Sequence, residues 1–188
     1  MGLDMYLSRK KFIGANYEHR KITGSIDIKQ NGKEIPIDFN KVSYIEEAVG
    51  YWRKANAIHK WFVDKCQDGV DDCKEYYVSS ENLEDLLNTC KEIKEKVIMK
   101  KGKVANGQRL TEDGWVDILE DGEYISNPEI CEELLPTEDG CFFGSTAYDE
   151  YYMNDIDYTI KLLEELLEED KKLNEQDVWC DYYYQSSW

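Results

Sequence analysis

Two stretches of the chain, residues 81–100 and 147–170, each carry one apolar stripe at helical spacing, and a stripe of that kind must be covered. In the first, Leu83, Leu86, Leu87, Cys90, Ile93 and Val97 share a face, with Ser79 and Ser80 as candidate caps and lysines at the far end. In the second, Ile156, Ile160, Leu163 and Leu167 point inward, while Glu164, Glu165, Glu168 and Glu169 point out. A third helix is expected near Trp52–Asp64, where Ala55, Ile58, Trp61 and Phe62 repeat the spacing.

Other segments alternate. Leu3, Met5 and Leu7 read as a half-buried strand, and Ile22, Ile26 and Ile28 repeat the pattern. Asn31-Gly32 then predicts a hairpin, because both residues tolerate positive φ. Ile35, Ile37 and Phe39 return on one face, and Pro36, which has no N–H, assigns that strand to an edge. Glu75–Val78 and Val178–Tyr184 read as short strands, Asn127-Pro128 to Leu135-Pro136 as a helical turn, and Gly140 to Gly144 as a buried strand or turn. Residues 101–108 read as a polar connector. Together these elements predict one α+β domain over residues 1–188, an antiparallel sheet with three main helices packed on it, and 101–130 as a candidate acidic insertion.

Charge narrows the function. The chain has 23 Lys+Arg against 40 Asp+Glu, a net of −17. Residues 1–103 hold 19 of the bases and 17 of the acids, so residues 104–188 hold 4 and 23, a net of −19. That sign excludes electrostatic binding to nucleic-acid phosphates and argues against anionic membranes. It suits a basic protein partner, which it would also steer toward contact. Asp113, Asp117, Glu120, Asp121 and Glu123 of the acidic stretch 111–124 are candidate contacts, as are Glu164, Glu165 and Glu168. Tyr148, Asp149, Glu150 and Tyr152 join them, because tyrosine beside carboxylate suits a protein interface. No apolar run is long enough for a membrane helix, and no secretory leader opens the chain. Tyr6 stands where a myristoylation signal needs Ser or Thr. A cytoplasmic location is expected.

Catalytic signatures are sparse. No P-loop, GxGxxG, GxSxG, HExxH or CxxC pattern occurs, and the six cysteines read as reduced structural thiols. No catalytic residue, cofactor or metal is therefore assigned. The weaker alternatives are a zinc site from His59, Cys66 and Cys73, with Asp64, Asp71 and Asp72 nearby, and a small metal- or nucleotide-binding enzyme centred on Arg53, Asn56, His59 and Asp72. Against both stands a structural reading, in which His59 and Arg53 hydrogen-bond to acids such as Asp72.

Three stretches together resemble a family of small proteins encoded by bacteriophages and prophages. They are Met1-Gly2-Leu3-Asp4-Met5-Tyr6-Leu7, the run from Gly50-Tyr51-Trp52-Arg53 through His59-Lys60-Trp61-Phe62-Val63, and Leu135-Pro136-Thr137 through Phe142-Phe143-Gly144-Ser145-Thr146 with Tyr148-Asp149-Glu150. The resemblance covers residues 1–7 and 45–165, and the segment 101–130 is longer than it implies. It implies no agreed enzyme activity, and it implies similarity to inhibitors of bacterial immunity, notably anti-CRISPR proteins. By that resemblance the partner is a basic host protein, a nucleic-acid-guided nuclease whose DNA binding or loading is blocked. A phage accessory protein with an unrelated partner fits the same residues.

Overall fold

The alternation at the N-terminus becomes the centre of a sheet. In a computed structural model, which describes residues 2–14, 18, 21, 27–112 and 114–188 but not the side chains of Phe39, Gln108 and Trp115, Asp4–Phe12 forms β1. Leu3, Met5 and Leu7 are fully buried beneath it. On one side β1 pairs antiparallel with β4 (Tyr44–Arg53), with a bulge between Leu7 and Ser8. On the other it pairs with β8 (Cys180–Ser187), which in turn carries β5 (Tyr76–Val78). The order β4-β1-β8-β5 joins strands from both ends of the chain.

Helices cover one face of this sheet. They are α1 (Asn56–Cys66), α2 (Ser80–Lys96), the short α3 (Glu129–Leu134) and α4 (Glu150–Asn174). Ser79 caps α2 as expected, its hydroxyl accepting from Asn82 N–H while Asn82 reaches back in a capping box. Leu83, Leu86, Leu87, Cys90 and Ile93 of α2 and Ile156, Ile160 and Leu163 of α4 join Phe62, Tyr182 and Tyr184 in one apolar cluster. Phe62 stacks on Tyr184 with ring centroids 4.1 Å apart. The α+β expectation therefore holds, and Pro128 starts α3 where the sequence placed a turn.

Several boundaries differ. Trp52 lies in β4, not in a helix, because Lys54 adopts φ 61° and donates its N–H to Leu3 O, turning the chain before α1 begins. The Asn31-Gly32 hairpin forms, with φ of 51° and 77°, but its strands β2 (Lys29–Gln30) and β3 (Lys33–Glu34) are short and separate from the main sheet. Ile35 and Ile37 stay exposed rather than lining a buried face. Met1, His19, Ile22, Ile26 and Asp113 lie outside the described residues.

The largest correction concerns 101–108. The expected connector is β6 (Met99–Thr111), which pairs with β7 (Gly114–Ile125) as a two-stranded ribbon. Its register sets Lys103 opposite Asp121 and Lys101 opposite Glu123. The acidic strand is thus flanked by a basic one, and Lys103 Nζ lies 2.7 Å from Asp121. The ribbon's glycines permit its tight base: a Cβ on Gly102 would stand 2.6 Å from the Tyr124 ring, and one on Gly122 only 2.5 Å from Val104.

Candidate functional site

The N-terminus of α4 organises a groove. Asp149 has extended backbone, and its Oδ1 accepts from the N–H groups of Tyr151 and Tyr152 at 2.9 and 3.3 Å, an N-cap that satisfies two orphan donors. The loop before it is pinned from α1. Asn56, 3% exposed, donates to Phe143 O and Ser145 O and accepts from Glu138 N. Thr137 N–H donates to Tyr148 Oη, and Thr137 Oγ1 to Thr146 O. The ribbon base is tied to the same place by Ile125 N–H donating to Tyr148 O and by a bridge between Tyr124 and Asp149.

Between the ribbon, this loop and α4 opens a groove of about 1050 Å³. Its charged lining comprises Arg53 and Lys54 at the end of β4, Asp117 on β7, Asp139 in the loop, and Asp149 and Asp155 on α4. Asp149 is only 2% exposed, and its Oδ2 has no hydrogen-bond partner. Burial, and then the negative charge of Asp149, push the Asp155 carboxyl up to about 7. An unpartnered buried carboxylate oxygen beside a second acid makes the groove a place where positive charge is favoured.

The candidate contact residues divide by position. Asp117, Asp149 and Tyr152 line the groove, although Tyr152 is core, its hydroxyl donating to Leu135 O. Tyr152 and Asp149 are thus buried rather than a tyrosine–carboxylate surface, because the first fills the space under α3 and the second caps α4. Tyr148 is half-buried, its ring edge-on to Tyr152. Glu120 accepts from Tyr151 Oη at 3.4 Å, and Glu150 lies against the position a Cβ of Gly122 would take. Glu164, Glu165 and Glu168 are exposed further along α4; at 1.5 Å rise per residue Glu164 sits roughly 14 Å beyond Asp155. There are two acidic regions, not one.

Pairing within the fold tempers the second region. Glu164 meets Lys91 at 2.7 Å, Asp157 meets Lys94 at 2.6 Å, and Glu168 meets Lys172 at 3.5 Å. Arg9, nearly buried in β1, faces Glu47, Glu169 and Asp170. Burial opposes its charge, yet hydrogen bonds with Glu47 and Tyr182 hold its pKa above the ordinary value. Bases of the N-terminal half thus answer acids of the C-terminal half across α2, β1 and α4.

The Arg53, Asn56, His59 and Asp72 set does not assemble. Arg53 and Asn56 line the groove, but His59 is fully buried elsewhere. Its Nε2 is 3.1 Å from Asp71 and its Nδ1 2.8 Å from Tyr184 Oη. A carboxylate only accepts, so Nε2 donates to Asp71, and in the neutral ring Nδ1 then accepts from the tyrosine. The acid that meets His59 is Asp71; Asp72 instead accepts from Lys74 and Tyr76. Among the described residues no group of three or more His, Cys, Asp or Glu is placed to hold a metal, so His59, Cys66 and Cys73 form no such centre. All six cysteines are free. Among the described residues no helix is long and apolar enough to cross a membrane.

Asp139, Lys54 and Asp155 belong to the groove but were not among the residues singled out from sequence. Only Asp149 carried a readable signal, an acid immediately before an apolar-periodic segment. Compared with family models, with curated proteins and with solved structures, the chain matches none.

Proposed function

We propose that this chain is a binding protein without catalytic activity, which docks its acidic side on a basic, nucleic-acid-binding surface of another protein and keeps nucleic acid out. The observation that carries this reading is the groove at the α4 N-terminus, where the buried carboxylate of Asp149 has an oxygen with no partner. Internal ion pairs redistribute charge but leave the net at −17, so the molecule still repels phosphate and attracts a basic surface. The partner class the phage-family resemblance implies is a nucleic-acid-guided nuclease of a bacterial host, whose positive channel holds a heteroduplex by its backbone. Inhibition of that kind needs no chemistry on the inhibitor. It needs only an acidic surface that occupies the channel or a basic lobe beside it.

The test is displacement of fluorescent duplex DNA from a guide-loaded nuclease. The protein should displace it, with an affinity that falls as salt rises. Charge reversal of Glu120, Asp121 and Glu123, and separately of Glu164, Glu165 and Glu168, should weaken displacement by at least about tenfold and flatten its salt dependence. If both variants displace DNA as well as the parent at every salt concentration, the electrostatic reading fails.

A further inference from the structure

The groove is more specific than an acidic patch. Asp149 is 98% removed from solvent by its 2% exposure, it lines the groove, and its Oδ2 lacks any hydrogen-bond partner. Leaving a charged acceptor buried and unsatisfied costs free energy in the unliganded protein. The chain's own cations do not remove that cost. Arg53 and Lys54 line the same groove, but Arg53 is 3.9 Å from Asp4, and neither bonds Asp149 Oδ2. Asp155 supplies a second carboxyl on the same helix, and Tyr151 adds aromatic surface to the lining.

We propose that this groove is a socket for one arginine side chain of the partner, its guanidinium bonding the carboxyl of Asp155 and, once the lining gives way to it, the free but closed-off oxygen of Asp149. The chemistry selects the occupant. A guanidinium is planar, weakly hydrated and able to donate to two carboxylates at once, and it stacks on tyrosine; an ammonium is a compact, strongly hydrated point charge that resists a site this sheltered. A divalent cation is disfavoured, because no group of three or more ligating side chains is assembled among the described residues. The inference rests on the binding-protein reading and names the group on the partner that the acidic side engages.

The probes are N-acetyl-arginine amide, its lysine counterpart, and the neutral isostere N-acetyl-citrulline amide, titrated into the full chain and followed by amide chemical shifts. The arginine probe should saturate at millimolar concentration and move the amides of Tyr151, Tyr152 and Asp155. The lysine probe should bind several-fold more weakly, and the citrulline probe should not bind. Asp149→Ser retains a capping oxygen while removing the free one, and Asp155→Asn retains shape; each should weaken the arginine probe at least fivefold, with a parent-like amide spectrum and a cooperative unfolding transition confirming the fold. Equal binding of citrulline, shifts that map elsewhere, no shift at all, or saturation by calcium or magnesium at micromolar concentration would each overturn the socket. The two readings fail separately. If Asp149→Ser and Asp155→Asn displace DNA like the parent while the charge reversals do not, the socket is wrong and the docking stands. If the arginine probe binds but no nuclease does, the docking is wrong.

Discussion

Lys91 on α2 and Glu164 on α4 meet at 2.7 Å, joining a base from the nearly neutral N-terminal part of the chain to an acid from the part that holds the negative excess. Lys94 and Asp157 repeat the arrangement one turn further along α2 and two turns back along α4. Both pairs are about half exposed, so their energies are small. A double-mutant cycle of Lys91→Met and Glu164→Gln should give a coupling of about 0.2–1 kcal/mol at low salt, vanishing near molar salt. Chemical denaturation measures it. A coupling above about 2 kcal/mol, insensitive to salt, would mean the pair is not solvated as its exposure indicates.

The same two helices show what was legible in the sequence. Their stripes needed no tertiary information, because one buried face per helix follows from the position of Leu83, Leu86, Ile156 and Ile160 alone. β6 was not legible. Its sequence, Met-Lys-Lys-Gly-Lys-Val-Ala-Asn-Gly-Gln-Arg-Leu-Thr, has no alternation, because the ribbon stands away from the core and only Val104 among its described side chains is buried. β4 failed for a related reason: it is an edge strand in which Trp52 alone is buried, and its aromatic end runs without a break in composition into α1. The groove depends on the loop 136–148 folding back to α1, a contact across more than eighty residues that no local pattern encodes.

The Asp155 carboxyl gives a pH prediction with a definite sign. Its folded value of about 7 lies well above the unfolded carboxylate value near 4, so the folded chain holds this proton more tightly. Stability therefore falls as pH rises from about 4 to about 7 and levels off above that. The groups sharing its groove are Asp149, Asp117, Asp139, Arg53 and Lys54. Asp155→Asn should unfold like the parent at pH 4 and be more stable by about 1–3 kcal/mol at pH 8. Urea midpoints at the two pH values decide it; a difference of the same size at both would remove the titration from the explanation.

The buried chain Asp71–His59–Tyr184 predicts a structural phenotype. Tyr184→Phe removes one hydrogen bond and should cost about 1–2 kcal/mol, and His59→Phe removes two and leaves Tyr184 Oη unpaired, costing about 2–4 kcal/mol. Neither residue lines the groove, so binding of the arginine probe should be unchanged in both folded variants. Loss of that binding without loss of stability would place His59 in the site after all.

The cysteines predict graded reactivity. Burial pushes the Cys66 and Cys90 thiols up to about 12, so neither supplies thiolate at neutral pH, whereas Cys141 lies exposed beside Phe142. An aromatic disulfide reagent should label Cys141 first in the native protein and reach Cys66 and Cys90 only on unfolding, with mass spectrometry of tryptic peptides as the readout. Native labelling of Cys90 ahead of Cys141 would contradict the packing of α2.

Asn56 links stability to the groove more directly than any other residue. Its side chain makes three hydrogen bonds to the loop backbone, at Phe143 O, Ser145 O and Glu138 N, from a nearly inaccessible position at the start of α1. Asn56→Ala leaves those loop groups to find water or go unpaired, a cost of about 2–4 kcal/mol. Asn56→Asp keeps the acceptor for Glu138 N–H but sets a carboxylate against two carbonyl oxygens, so it should rescue nothing and lower stability further. Because the loop also supplies Asp139 to the groove, the alanine variant should lose affinity for the arginine probe even in conditions where it stays folded. Denaturation midpoints and probe titrations on the same samples separate the two effects. An alanine variant with the parent's midpoint would show that Asn56 does not hold the loop.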